Sequence, residues 1–207
     1  MLSLSEYSQF FIGLLAIVDP LGAIPIFIIL TARQTPQMKA ATVRLTVFSV
    51  FGVLAVSLLL GEWILNVLGI SINAFRCAGG IVLLLMSLTM LQSHQLQKNE
   101  VDSLEQDETV ALVPLTIPLL AGPGAISTVI VYAHRAQDLS HYVLIFAAIA
   151  SVCAFLWGTL VAMPWLSKHI TPKAIAMSTR IMGLLLAAIA VEFIAGGLKG
   201  LFPALSV

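Results

Sequence analysis

Six apolar stretches, each about as long as a helix that crosses a bilayer, constrain this chain more than any other feature. A hydrocarbon core ~30 Å thick requires about twenty mostly apolar helical residues. Stretches of that kind run roughly over Tyr7–Leu30, Leu45–Leu68, Ala74–Leu91, Ala111–Tyr132, Tyr142–Leu166 and Ile181–Leu198. Of the 207 residues, 59% are hydrophobic and 10% charged, whereas a soluble domain carries about 25% charged residues to cover its surface. The expected fold is therefore an all-α integral membrane domain of six transmembrane helices.

The connections are short. The strongly polar one runs from Gln92 to Thr109 and carries Glu100, Asp102, Glu105, Asp107 and Glu108. This divides the single membrane domain into residues 1–92, a polar loop at 93–110, and residues 111–207. The first span is not expected to be a cleaved signal, because Glu6 is the one charge before it and Asp19–Pro20 interrupts its apolar run. Counting Lys and Arg on alternate sides places Arg33, Lys39, Arg44, Lys98, Lys168, Lys173 and Arg180 against Arg76, Arg135 and Lys199. The richer side reads as cytoplasmic, so the 93–110 loop is expected in the cytoplasm and both termini outside.

Several function classes lose support at once. Lys+Arg and Asp+Glu are ten each, leaving no basic excess to neutralise phosphates, so no nucleic-acid partner is expected. Cys77 and Cys153 form no CxxC and no ligand spacing, so no metal, cofactor or redox role is expected. Ser127 and His134 are the one Ser/His pair near an interrupted helix, and no GxSxG, HExxH or phosphate loop accompanies them. No enzymatic activity is expected.

The two halves repeat. Gly22-Ala23-Ile24 recurs as Gly124-Ala125-Ile126 and Trp63 as Trp165, while Arg76 and Gly79 recur as Arg180 and Gly183. Three spans per half is odd, so the second half enters the membrane upside down, giving two inverted three-helix repeats of the kind found in secondary transporters.

Matching interruptions fall in spans 1 and 4. One reads Val18-Asp19-Pro20-Leu21-Gly22-Ala23-Ile24-Pro25, the other Pro114-Leu115-Thr116-Ile117-Pro118-Leu119-Leu120-Ala121-Gly122-Pro123-Gly124. Proline removes a backbone donor and glycine permits unwound chain, and broken helices in lipid are tolerated where they line protein or a cavity. Paired breaks point to a midplane binding site. A half-helix starting near Gly22 or Gly124 offers free amides and a positive dipole end to a carboxylate. Carbonyls freed before each break suit an ammonium or another cation, and Thr116, Ser127 and Thr128 add neutral hydrogen-bonding groups. The candidate substrate-binding residues are Asp19, Pro20, Gly22, Ala23, Thr116, Gly122, Gly124, Ala125, Ser127 and Thr128. Their small size suits a small zwitterion.

Asp19 stands about twelve positions into the first span, where an aspartate costs at least ~2.5 kcal/mol on insertion scales. It suits ammonium binding, proton transfer, or capping of the half-helix that follows. Glu192 is the second intramembrane acid, with an interfacial position or Lys199 as its expected partner. Arg76 and Arg180 read chiefly as interfacial anchors, as do Glu62, Trp63 and Trp165, and the four histidines show no partner spacing.

These residues resemble a known family. Asp19-Pro20-Leu21-Gly22-Ala23-Ile24-Pro25, the stretch from Pro114 to Ile126, and Arg180-Ile181-Met182-Gly183-Leu184-Leu185 are similar to the MarC family of bacterial and archaeal inner-membrane proteins. The resemblance covers essentially the whole chain. It implies transport of small neutral amino acids such as glycine and alanine, coupled to a proton or sodium gradient. Members carry Asp or Asn at the position of Asp19, which implies binding or capping rather than obligatory proton carriage. A homo-oligomer is among the partner expectations. The competing expectation is a structural or regulatory membrane subunit with no transported substrate.

Overall fold

The computed structural model describes residues 4–32, 34–92, 121–135, 138–169, 171–202 and 204. The polar 93–110 loop, the Pro114–Leu120 stretch and Thr116 lie outside them. Among the described residues the chain forms seven α-helices: α1 (Leu4–Val18), α2 (Ala23–Thr31), α3 (Pro36–Val67), α4 (Ile72–Gln92), α5 (Pro123–Ala133), α6 (Leu139–His169) and α7 (Pro172–Leu201).

Four of these, α3, α4, α6 and α7, are long and apolar enough to cross a membrane, and α1 and α5 are shorter apolar helices. The first expected span is thus two pieces, α1 and the nine-residue α2, parted at residues 19–22. The third and fifth match their expected stretches within a few residues. The second and sixth begin earlier than hydropathy alone predicts, and the reason is local. Thr35 caps α3 by accepting from the Met38 amide at 3.3 Å, and Thr171 caps α7 by accepting from the Ala174 amide at 3.3 Å. Each is followed by a proline at the first helical position, where the missing N–H costs nothing. The helices start at these caps, ahead of the apolar stretch.

Packing pairs the long helices in opposite directions. In the α4–α7 seam, Asn73 and Cys77 at the start of α4 meet Gly197 and Gly200 at the end of α7. Ser87 and Met90, near the end of α4, meet Gly183 near the start of α7. Gly80 and Gly197 let the two backbones touch, since a Cβ on either would lie 2.9 Å or less from backbone atoms of the partner helix. Small residues at such seams are what membrane helices use to approach closely. The α3–α6 seam is antiparallel too: Phe51 meets Phe146 edge-on at 5.3 Å, while Arg44 lies toward Trp157 across an apolar groove of about 400 Å³.

Helix α5 is inserted between α3 and α4. Ile130 fills the space over Gly61, Ser127 that over Gly79, and Leu83 and Met86 the space over Gly124. Helix α1 lies against α5, α6 and α7. The interior is built from Phe10, Leu14, Ile24, Phe27, Leu54, Leu83, Ile145 and Ile149, all fully buried. The outside is apolar as well, with Phe48, Leu59, Trp63, Leu85, Trp165 and Leu184 exposed. Helices apolar all round suit a hydrocarbon solvent.

Candidate binding site at the paired helix breaks

The first break is organised by Asp19. Helix α1 ends with the Asp19 amide donating to the Leu15 carbonyl at 3.0 Å, and Asp19 then turns into the left-handed region, φ +40°. Among L-residues, Asp and Asn accept that conformation best. Pro20, with no amide to donate, follows. The Asp19 Oδ1 accepts the Gly22 amide at 3.1 Å, and the Asp19 carbonyl accepts the Ala23 amide at 3.1 Å. Asp19 therefore closes the turn at residues 19–22 that leads into α2. Its other oxygen, Oδ2, makes no hydrogen bond among the described residues and folds over the Cα of Gly22, where any Cβ would overlap it. With 7% of its surface exposed, one amide bond is thin compensation for a buried carboxyl group.

The start of α5, the described part of the fourth expected span, differs. Helix α5 starts at Pro123 with Gly122 as its cap, and glycine has no side chain to bond the first amides. The Gly122 carbonyl accepts from Ala125 and Ile126 at 3.0 and 3.1 Å. Ser127 and Thr128 both donate to the Gly124 carbonyl, at 3.0 and 2.8 Å. Ser127 faces Gly79 of α4. These hydroxyls already spend their protons within α5, so their remaining polar capacity is as acceptors.

The two breaks border one core. Val18, Ala23 and Ile24 around the first, and Ala121 and Ala125 around the second, belong to the same buried cluster. Thus Asp19, Pro20, Gly22 and Ala23 lie together around one turn, and Gly122, Gly124, Ala125, Ser127 and Thr128 run along the first two turns of α5. Thr116 lies outside the described residues.

Some polar groups have partners that the sequence does not suggest. Buried His141 joins three helices: its Nδ1 accepts from Tyr7 Oη at 2.6 Å, and its Nε2 faces the Tyr132 carbonyl at 3.0 Å. A carbonyl only accepts, so Nε2 carries the proton. His134 pairs with Glu62 at 2.8 Å, so Ser127 and His134 turn to different partners. Glu192 has Arg76, on the facing helix, as an electrostatic neighbour. Arg76 and Arg180, equivalent in the repeat, have different surroundings: Arg76 lies over the Phe193 ring, 5.5 Å from its centroid, and Arg180 is exposed.

Residues 4–202 match the family described as MarC family integral membrane protein. The chain belongs to the MarC family. It is similar to UPF0056 membrane protein YhcE of Escherichia coli (strain K12), 43% identical over 96% of this chain and 94% of that one. It is 37% identical to UPF0056 membrane protein MJ1677 of Methanocaldococcus jannaschii, over 92% and 94% of the two chains. It is 34% identical to UPF0056 membrane protein YvbG of Bacillus subtilis (strain 168), over 95% of each. No solved structure matches. Like these relatives, this MarC-family chain is an integral multi-pass membrane protein, and both the turn at Asp19 and the start of α5 lie inside the family match.

Proposed function

We propose that this MarC-family chain is a secondary transporter of small neutral amino acids, of glycine or alanine size, working across the inner membrane by alternating access and driven by a proton or sodium gradient. The observation that carries the reading is the buried carboxyl group of Asp19, held in a left-handed turn inside a broken helix with one amide bonded to it among the described residues. An ionisable residue so placed is by default functional.

The two breaks divide the work. The positive end of α2 already has Asp19 as its anion, so a substrate carboxylate goes to α5, whose glycine cap has no side chain to compete for the amides near Gly122 and Gly124. The substrate ammonium goes to Asp19 Oδ2. Ala23, Gly124 and Ala125 keep the space between small. Alternating access needs two bundles that rock about the site, and the antiparallel α3–α6 and α4–α7 seams, each pairing repeat-equivalent helices, support an inverted-repeat arrangement. The charge count supports a topology with both termini outside.

Equilibrium binding of glycine to the purified protein tests this, with glycinamide and N-acetylglycine as probes that each lack one charge. Charge-assisted hydrogen bonds contribute about 1.5–3 kcal/mol, so each analogue should bind at least about tenfold more weakly. Equal binding of all three compounds refutes the division of roles. No binding of any small amino acid, together with full tolerance of substitution at Asp19, Gly22 and Gly124, favours a structural subunit instead.

A further inference from the structure

A second polar site stands at the end of the molecule that holds the start of α1 and the end of α5. Arg76, near the start of α4, has its Nε buried with no hydrogen-bond acceptor among the described residues, and the rest of its guanidinium makes no hydrogen bond among them either. It lies flat on the backbone of α7, where a Cβ at Gly196 would run into Cζ and both terminal nitrogens. Its face covers the ring of buried Phe193. A second guanidinium, Arg135, is an electrostatic neighbour. It lies over the Tyr132 ring at 5.4 Å and 3.6 Å from Glu6 at the surface. Glu192 also acts on Arg76 electrostatically, but forms no ion pair with it among the described residues.

Two like charges that act on one another repel, and a buried Arg76 Nε without an acceptor forfeits the hydrogen bond water would give it. An oxyanion relieves both, because the planar fork of arginine fits a carboxylate in two parallel bonds. We propose that Arg76 and Arg135 form an outer carboxylate-binding vestibule, with Gly196 and Phe193 holding the Arg76 guanidinium in place. A lipid phosphate is the other source of such an anion. The guanidinium is, however, turned into the α4–α7 seam against a buried ring rather than outward to lipid. Beneath the vestibule, Tyr132 stacks on buried Phe10 at 4.8 Å. Phe10 is on α1, about two and a half turns before Asp19.

That the carboxylate belongs to a transported amino acid rests on the transporter reading; that it binds here does not. The test is labelling of the detergent-purified full chain by phenylglyoxal, with modification of Arg76 followed by peptide mass spectrometry. Acetate and glycine should slow labelling of Arg76 several-fold, and methylammonium should not. Arg135→Gln should weaken acetate protection about tenfold, the effect of losing one charge-assisted partner. Gly196→Ala should weaken it as well, though every charge remains. Labelling indifferent to carboxylates overturns the proposal, as does protection that appears only in nanodiscs containing phosphatidylglycerol, or protection unchanged in both variants. Acetate protection without any amino acid uptake refutes the transporter reading alone. Uptake with an unprotected Arg76 refutes the vestibule alone.

Discussion

Replacing Gly22 by alanine probes the first break with a single carbon. Gly22 has no positive φ to explain it, so its role is spatial: the new Cβ would overlap Asp19 Oδ2 and lie 2.8 Å from Cγ and 3.3 Å from Oδ1. The carboxylate must move, and the bond from the Gly22 amide goes with it. Losing a cap costs about 0.5–2 kcal/mol, and forcing a methyl group into a packed interior costs about 1–3 kcal/mol. The two overlap, so about 2–3 kcal/mol is expected in all. For a chain of this size each kcal/mol moves Tm by about 2–4 °C, which gives a fall of about 4–12 °C. Thermal unfolding in detergent, followed by tryptophan fluorescence and by size exclusion of the surviving protein, reads it directly. Asp19→Asn is the companion variant. Its carbonyl still accepts from Gly22 and asparagine tolerates φ +40°, so its Tm should stay within about 3 °C, while glycine binding falls at least about tenfold. A Gly22→Ala protein with unchanged Tm refutes the claim that the carboxylate sits against this glycine.

Other substitutions test the surrounding packing. Thr46 is fully buried on α3 with an Oγ1 that has no hydrogen-bond partner among the described residues; Thr46→Val removes that cost and should raise Tm by about 2–4 °C, about 1 kcal/mol, in the same melting assay. Gly197→Ala puts a methyl 2.8 Å from the Asn73 carbonyl oxygen and the Cys77 amide nitrogen; because backbone cannot give way cheaply, it should destabilise by about 1–3 kcal/mol. Gly52→Ala, whose new Cβ meets no other side chain or neighbouring helix within 4 Å among the described residues, should change stability by no more than about 0.5 kcal/mol. Tyr7→Phe leaves His141 Nδ1 without its donor and should cost about 1–2 kcal/mol, with faster amide exchange at the start of α1.

The helical class, the break after Val18 and the start of α5 at Pro123 were legible because each is written in local chemistry. Asp19-Pro20 and Gly122-Pro123-Gly124 interrupt any helix they occur in. The early starts of α3 and α7 were legible in principle, since Thr35-Pro36 and Thr171-Pro172 are start signals, but hydropathy marks where a helix enters lipid rather than where it begins. The inequality of the two breaks was not legible. The repeated Gly-Ala-Ile makes them look alike, and only the fold shows Asp19 turned back onto α2 while α5 has a glycine cap. Long-range partners were hidden for a related reason. His141 lies 134 positions from Tyr7 and His134 lies 72 from Glu62, so no local spacing records either pair. The hydroxyls of Ser127 and Thr128 show the limit of reading by residue type, because residues at these positions can bond back to their own helix.

The most direct test of a solute held between two unwound helices is uptake of labelled glycine and alanine into liposomes carrying the purified chain, under imposed proton or sodium gradients. The account predicts saturable uptake that rises with one of the two gradients. It also predicts that Asp19→Ala and Gly124→Leu abolish it in protein that still elutes as a folded species; the latter pushes a side chain toward Leu83 and Met86. Uptake no greater than in empty liposomes for every small amino acid and either gradient, or undiminished uptake by both variants, contradicts it.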